Sequence, residues 1–207
     1  MDRKHDKIHN LLAEAANVIR KEKIATGKIE PAEGYKGGQI KALKEFANFH
    51  GLWIDLDSFS LSFLSKGGEN EVFTTGKEDI VFKLNNFEYA GDDLENFFIR
   101  MDAHNRLFSN VPYQMAGFAY NSQQEFCAVL EQPYVRAERE ATEEEIQDFM
   151  AALGFEMDYT DEYHNERYEI FDVVPNNVLY GIDRELYFID TQIRLREKQS
   201  PYTSPPA

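Results

Sequence analysis

The stretch 168–192 dictates more of this chain's fold than any other. Two short apolar runs, 178–180 and 186–189, flank Gly181-Ile182-Asp183-Arg184, and alternating strands around a turn-forming run read as a β-hairpin. Pro175 with Asn176 and Asn177 sets a turn just before it, since proline fixes φ and asparagine side chains bond nearby backbone. Asp172 and Asn177 precede the hairpin and Asp190 stands at its far end. The ends of a hairpin lie close together, so three oxygen-bearing side chains are expected to share one small volume. Two oxygen ligands beside a free carboxylate suit a hard divalent cation that carries phosphates. The plainer alternative is that Pro-Asn-Asn is ordinary turn chemistry and Asp190 ends a strand.

Upstream, the apolar period becomes two from Leu61 onward. Segments 61–65, 71–75 and 79–84 are strand candidates, joined by turns at Gly67-Gly68 and Gly76-Lys77. Lys83 falls inside the apolar run Ile80-Val81-Phe82-Lys83-Leu84, so it must either face solvent or meet an anion, because burying an unpaired ammonium is costly. Gly67-Gly68 allows a close approach of backbone to a phosphate, although such a pair is by itself often only a hairpin turn. Residues 92–108 have helical spacing, with Leu94, Phe97, Phe98, Met101 and Phe108 inward. A strand pair over 113–120 and 125–131 follows, and 132–135 is expected to leave that sheet. Thr142-Glu143-Glu144-Glu145 is a capping box opening a helix that ends near Gly154, whereas 158–167 is polar and irregular.

Two amphipathic helices precede the sheet. Residues 7–22 place Ile8, Leu11, Leu12, Ala15, Val18 and Ile19 on one face, and 38–49 place Ile40, Leu43, Phe46 and Ala47 inward. A polar link with Gly27, Pro31 and Gly34 joins them, and 200–207, with three prolines, is expected to be a frayed tail. The expected organisation is therefore α+β: an N-terminal helical extension (1–50), a sheet-rich lobe (51–135), a small C-terminal lobe with the hairpin (136–199) and the tail (200–207).

Composition removes several function classes. A formal net charge of −15 argues against nucleic acid as a partner, since that affinity comes from Lys and Arg neutralising phosphates. A single cysteine, Cys127, cannot build an intrachain disulfide framework or a thiolate metal site and suits a reducing, cytoplasmic setting. No run approaches the length of a membrane span, so no membrane partner is expected. His5, His9, His50, His104 and His164 show no zinc-ligand spacing.

The residues from Asp172 to Asn177 match the Asp-x-x-x-x-Asn half of a kinase catalytic loop, with Asp190 at the place of the second metal-binding Asp. Here the chain resembles the protein-kinase superfamily. More narrowly it is similar to the polyvalent protein kinase domains of conjugative elements and phages. That likeness rests on Gly67-Gly68-Glu69-Asn70-Glu71-Val72-Phe73, Val81-Phe82-Lys83-Leu84-Asn85, Ala103-His104-Asn105, Glu131-Gln132-Pro133-Tyr134-Val135 and Ala141-Thr142, and covers roughly 35–195. The resemblance implies a reduced protein-kinase-like fold: an antiparallel sheet lobe plus a small helical lobe with a catalytic-loop hairpin. It implies ATP with Mg²⁺ or Mn²⁺ as cofactors, and a protein or small-molecule hydroxyl as phosphate acceptor. Lys83 would hold the nucleotide phosphates, Gly67 and Gly68 would lie over them, and Gln132 would begin the hinge. A helix glutamate, Glu95 or Glu88, would pair with Lys83. Asp172 would be the base or orienting group, and Asn177 and Asp190 the metal ligands.

The pattern departs from the superfamily in places. Ile170-Phe171 stand before Asp172 instead of His-Arg, Thr191-Gln192 follow Asp190 instead of Phe-Gly, and 17 residues after Asp190 are too few for an activation segment. These departures point to a trimmed domain, a small substrate or lost catalysis. The alternatives to an enzyme are a catalytically inactive kinase-fold interaction module of a mobile-element protein, and an α+β protein unrelated to kinases.

Overall fold

A computed structural model describes residues 3–26, 35–76 and 80–196, with side chains of the first helix over 11–25. The polar link, the tail beyond 196, Lys77, Asp79, and the side chains of His5, His9 and Ile8 lie outside the described residues. The chain divides into two units, Met1–Arg136 and Ala137–Ala207.

In the first unit, α1 (Arg3–Thr26) and α2 (Tyr35–His50) precede five strands and one further helix. The strands are β1 (Ser62–Lys66), β2 (Asn70–Thr74), β3 (Ile80–Asn85), β4 (Gln114–Tyr120) and β5 (Phe126–Pro133), with α3 (Glu95–Leu107) between β3 and β4. They form one antiparallel sheet in the order β1-β2-β3-β5-β4. The period of two sorts its side chains between faces. Met115, Phe118, Ala128 and Leu130 join Ala15 and Ile19 of α1, Leu43 and Ala47 of α2, and Phe97, Phe98 and Met101 of α3 in the main core. Phe82, Leu84, Ala119, Cys127 and Val129 form a smaller cluster. Segment 52–54 runs beside β4, with Phe118 N–H donating to Leu52 O at 2.9 Å and Ile54 N–H to Phe118 O at 2.8 Å. Gly117 is required at this approach, because a Cβ there would collide with the Leu52 carbonyl oxygen.

The helices differ from expectation in what they bury. In α2 the buried stripe is Tyr35, Gln39, Leu43 and Ala47, spaced by four, while Ile40 and Phe46 are only half-buried. Gln39 is inside because it caps α3: its Oε1 accepts from Leu94 N–H at 2.8 Å and its Nε2 donates to Asp93 at 2.8 Å. The helix expected from 92 begins at Glu95, since Phe87 (φ 63°) and Gly91 (φ 65°) bracket a 3₁₀ turn that breaks the helical path. Residues Gln132 and Pro133, expected outside the sheet, remain in β5 opposite Val81 and Ile80.

The second unit holds β6 (Ala137–Glu140), α4 (Glu143–Ala152), β7 (Glu156–Tyr159), β8 (Glu162–His164), β9 (Tyr168–Phe171), β10 (Val178–Gly181), β11 (Leu186–Phe188) and β12 (Gln192–Leu195). Two sheets result, β11-β10-β6 and β12-β9-β8-β7. The expectation of a small helical lobe is corrected: among the described residues this unit has one α-helix, α4, and one 3₁₀ turn, and is otherwise strand-built. Its capping box is formed on both sides, and Phe149 of α4 packs on Phe188 of the hairpin with ring centroids 5.0 Å apart. The stretch 158–167, read as irregular, contributes the β7–β8 hairpin. Every side chain of β7 is exposed, so no alternation marks it, and backbone pairing with β8 holds it in place.

Candidate functional site

In the first unit, β1 and β2 meet at the turn 67–70, where Gly67 N–H donates to Asn70 O at 2.8 Å. Gly68 is covered by Tyr89: a Cβ at residue 68 would meet the tyrosine hydroxyl, with the ring carbon Cζ 2.7 Å away. The turn is anchored to the end of β3. Asn86 N–H donates to Glu69 O at 3.0 Å, and the Asn85 amide donates to the Asn70 side-chain oxygen at 2.8 Å.

Lys83 is only 4% exposed, which removes the solvent-facing alternative for this strand lysine. It sits opposite Val72 on one side and Leu130 on the other. Its ammonium donates to the Tyr113 hydroxyl at 3.1 Å and lies 5.1 Å from the centre of that ring. Glu95, offered above as the helix carboxylate for Lys83, is turned to α1: Arg20 Nε donates to it at 3.0 Å and Lys23 Nζ at 3.1 Å. Hydrogen bonds from Lys23 to Asp93 and Glu95 raise the Lys23 pKa further above its ordinary value. Glu88, the other candidate, is exposed in the 3₁₀ turn after β3.

Polar side chains named in the sequence, His104, Asn105 and Gln132, gather around the residue that Lys83 meets, in a set of contacts that the sequence did not show. Asn105 holds Tyr113 at both backbone positions, donating to its carbonyl at 2.8 Å and accepting from its N–H at 2.7 Å. The buried Gln132 side chain donates to Val111 O at 3.1 Å, and His104 Nε2 lies 3.1 Å from the same carbonyl. Burial pushes the His104 pKa down to about 3, and the charges of Lys83 and Arg100 add to that, so the imidazole is neutral. This gives Ala103-His104-Asn105 a physical meaning: its two polar side chains fasten the connection from α3 to β4, which carries the tyrosine that Lys83 meets. Alternation could not reveal this, because the contacts form in a loop.

In the second unit the loop between β9 and β10 gathers the other candidates. Asp172 follows β9 with a left-handed φ of 61°. Residues Pro175–Asn177 form a 3₁₀ turn, and the Asn177 amide donates back to the Asp172 carbonyl at 2.9 Å. Ile189 N–H donates to Asn177 O at 2.9 Å, and the β9–β12 pairing sets Gln192 opposite Phe171. Asp190 is thereby held beside Asp172 and Asn177 by backbone bonds on either side. A third carboxylate is brought in by the β7–β8 turn, where Asp161 O accepts from Val173 N–H at 3.1 Å. Partial desolvation lifts the Asp172 carboxyl above its ordinary range and the charges of Asp190 and Asp161 lift it further, against the lowering effect of the Asn177 amide. Water still reaches the residue, so this is a bias and not a locked proton.

Among the described residues no group of three His, Cys, Asp or Glu side chains is set to hold a metal ion. Asn177 and Asp190 carry side-chain oxygens of the kind a magnesium-like cation takes, which needs one or two from protein and the rest from phosphates and water. No helix among the described residues is long and apolar enough to cross a membrane.

An antiparallel five-stranded sheet with a buried lysine on its third strand, followed by an Asp-loop-Asn turn, a hairpin and a further Asp, is the makeup of a kinase-like protein. The profile of the serine/threonine/tyrosine kinases found in polyvalent proteins matches residues 36–197, and the chain belongs to that family. No curated protein and no solved structure matches the chain.

Proposed function

We propose that the protein binds ATP with Mg²⁺ or Mn²⁺ and transfers the γ-phosphate to a hydroxyl-bearing acceptor, a protein or a small molecule. The observation that carries this reading is the loop geometry of the second unit: the Asn177 amide closes on the Asp172 carbonyl at 2.9 Å, with Asp190 close enough for its charge to act on Asp172. Asp172 orients the acceptor hydroxyl and takes its proton, a role that a carboxyl biased upward still fills at neutral pH. Asn177 and Asp190 hold the cation. In the first unit Lys83 holds phosphates and the Gly67-Gly68 backbone lies over them, while the chain at Gln132 receives the base. Phosphoryl transfer asks mainly for positioning and charge stabilisation, which such groups supply. A cytoplasmic setting agrees with one buried thiol, Cys127, whose pKa burial pushes up to about 12.

A second reading, an inactive interaction module, draws on β12: Gln192 already pairs with Phe171, so the segment after Asp190 goes directly into a sheet. The deciding experiment follows label from γ-labelled ATP into the protein, peptides and small hydroxyl compounds. Asp172→Ala should leave nucleotide affinity near the wild-type value and suppress transfer, whereas Lys83→Met should weaken both. Hydrolysis equal in wild type and Asp172→Ala would remove Asp172 from the chemistry and leave the module reading.

A further inference from the structure

A deeply buried ion pair of the first unit lies between the glycine turn and α3. Arg100 Nη2 is 2.7 Å from one carboxylate oxygen of Glu69 and 2.9 Å from the other, and both side chains are 4% exposed. Glu69 directly follows Gly68, and its own carbonyl is held by Asn86 N–H at the end of β3. The residue that carries the carboxylate is therefore tied at both its backbone and its side chain. Resemblance to kinases leads one to expect a helix carboxylate; here Glu95 is engaged by α1, and α3 presents a guanidinium to a carboxylate of the turn.

We infer that Arg100 is a positioning residue for the nucleotide phosphates: through Glu69 it fixes the Gly67-Gly68 backbone relative to β3, which carries Lys83. This rests on the nucleotide-binding reading above and adds a determinant to it. A buried carboxylate and a buried guanidinium are each costly alone, so the pair persists as long as the unit is folded. One nitrogen of the flat guanidinium, Nη2, meets both carboxylate oxygens, and the shorter lysine side chain does not bring its ammonium to the same point. The turn is thus prepared before the ligand arrives, and its backbone loses little freedom on binding. Groups that meet adenine or ribose are not on this tie. Its loss should fall on the phosphates alone.

The test compares ATP with Mg²⁺ against adenosine by calorimetry on wild type, Arg100→Lys and Glu69→Gln. Each variant should bind ATP about tenfold more weakly, a change of about 1.4 kcal/mol, with adenosine affinity within about twofold of wild type. The double variant should be no worse than the weaker single one, because both remove the same tie. Equal losses for ATP and adenosine, or an unchanged ATP affinity in a folded variant, would overturn the inference while the nucleotide reading stands. A wild type that binds no ATP would remove that reading, and the inference with it. Should both variants fail to fold, hydrogen exchange on wild type decides. Without nucleotide, the amides of 67–70 should be protected like those of β2; if they exchange as a free loop and are protected only by ATP, the turn is not prepared and the inference falls.

Discussion

The Asn177 side chain is bonded to the Asp172 backbone: its Nδ2 donates to the Asp172 carbonyl at 2.9 Å across a loop in which Asp172 has φ 61°. Left-handed backbone is uncommon for a residue with a Cβ and costs of order 1 kcal/mol. The loop keeps Asp172 in that conformation. Strain held at a candidate catalytic position has a measurable consequence. Asp172→Gly should leave stability unchanged or raise it by up to about 1 kcal/mol, since relief of φ offsets the larger freedom of glycine in the unfolded chain. The same change should abolish transfer to acceptor. Urea titration and label transfer on one preparation check both, and a clear loss of stability would show that the carboxylate itself supports the fold.

The bond from Asn177 can be removed separately. Asn177→Ala should cost about 1 kcal/mol from the lost hydrogen bond, and any metal-dependent stabilisation should go with it. Thermal denaturation with and without Mg²⁺ measures the two effects on one sample.

Asp190→Asn addresses the cation more directly. A ligand that binds only the folded state raises stability by about 2.7 kcal/mol at a hundred times its dissociation constant. Wild type should show such a rise with ATP that grows when Mg²⁺ is added. Asp190→Asn should keep the unliganded stability and lose the increment due to Mg²⁺. An increment of full size in the variant would exclude Asp190 as a ligand.

Gly68 and Tyr89 form a pair that can be tested without any nucleotide. Gly68→Ala sends a methyl into the tyrosine hydroxyl and within 2.7 Å of Cζ, but Tyr89 is exposed and able to swing aside. The expected cost is therefore at the low end of overpacking, about 1 kcal/mol. In a Tyr89→Ala background the same substitution should cost under about 0.5 kcal/mol, and the difference is the coupling. Equal costs in both backgrounds would mean that the turn, not the tyrosine, yields.

What was legible in the sequence follows from how local each signal is. Strands β3 to β5 were readable because cover on both faces leaves near-continuous apolar runs between turn residues, and α4 because its capping box is complete within Thr142 and Glu145. The neighbourhood of Asp172, Asn177 and Asp190 was readable because the ends of a hairpin must meet. Strands β6 and β7 were not, since all their side chains are exposed and only backbone pairing defines them. That also hid Asp161, which reaches the loop through the β7–β8 turn. Gln39 capping α3 and Arg100 on Glu69 were hidden for a different reason: each joins polar residues far apart in sequence, and no period marks such a pair.

His104 makes the unit that carries Lys83 sensitive to acid. The imidazole is fully buried, its Nε2 is 3.1 Å from the Val111 carbonyl, and its Nδ1 has no hydrogen-bond partner among the described residues. A bond to a carbonyl needs the proton on Nε2, so the neutral ring satisfies the site, and a second proton would place a charge in the interior near Lys83 and Arg100. The folded pKa of about 3 lies below the ordinary 6.5. Between those values the unfolded chain binds a proton that the folded one does not, so stability is complete above pH 6.5 and falls as the pH drops toward 3. The slope from this single group approaches about 1.4 kcal/mol per pH unit. His104→Gln keeps a donor for Val111 but does not titrate; it should be less stable than wild type at pH 7, from lost ring packing on Tyr113 and Phe108. Urea unfolding of the two proteins at pH 7, 6 and 5 should show this deficit shrinking by about 1 kcal/mol per unit below pH 6. Carboxylates titrate alike in both proteins and cancel in the difference. Parallel pH profiles would mean that His104 gains its proton without cost, and that the buried surroundings of Lys83 are wetter than their packing implies.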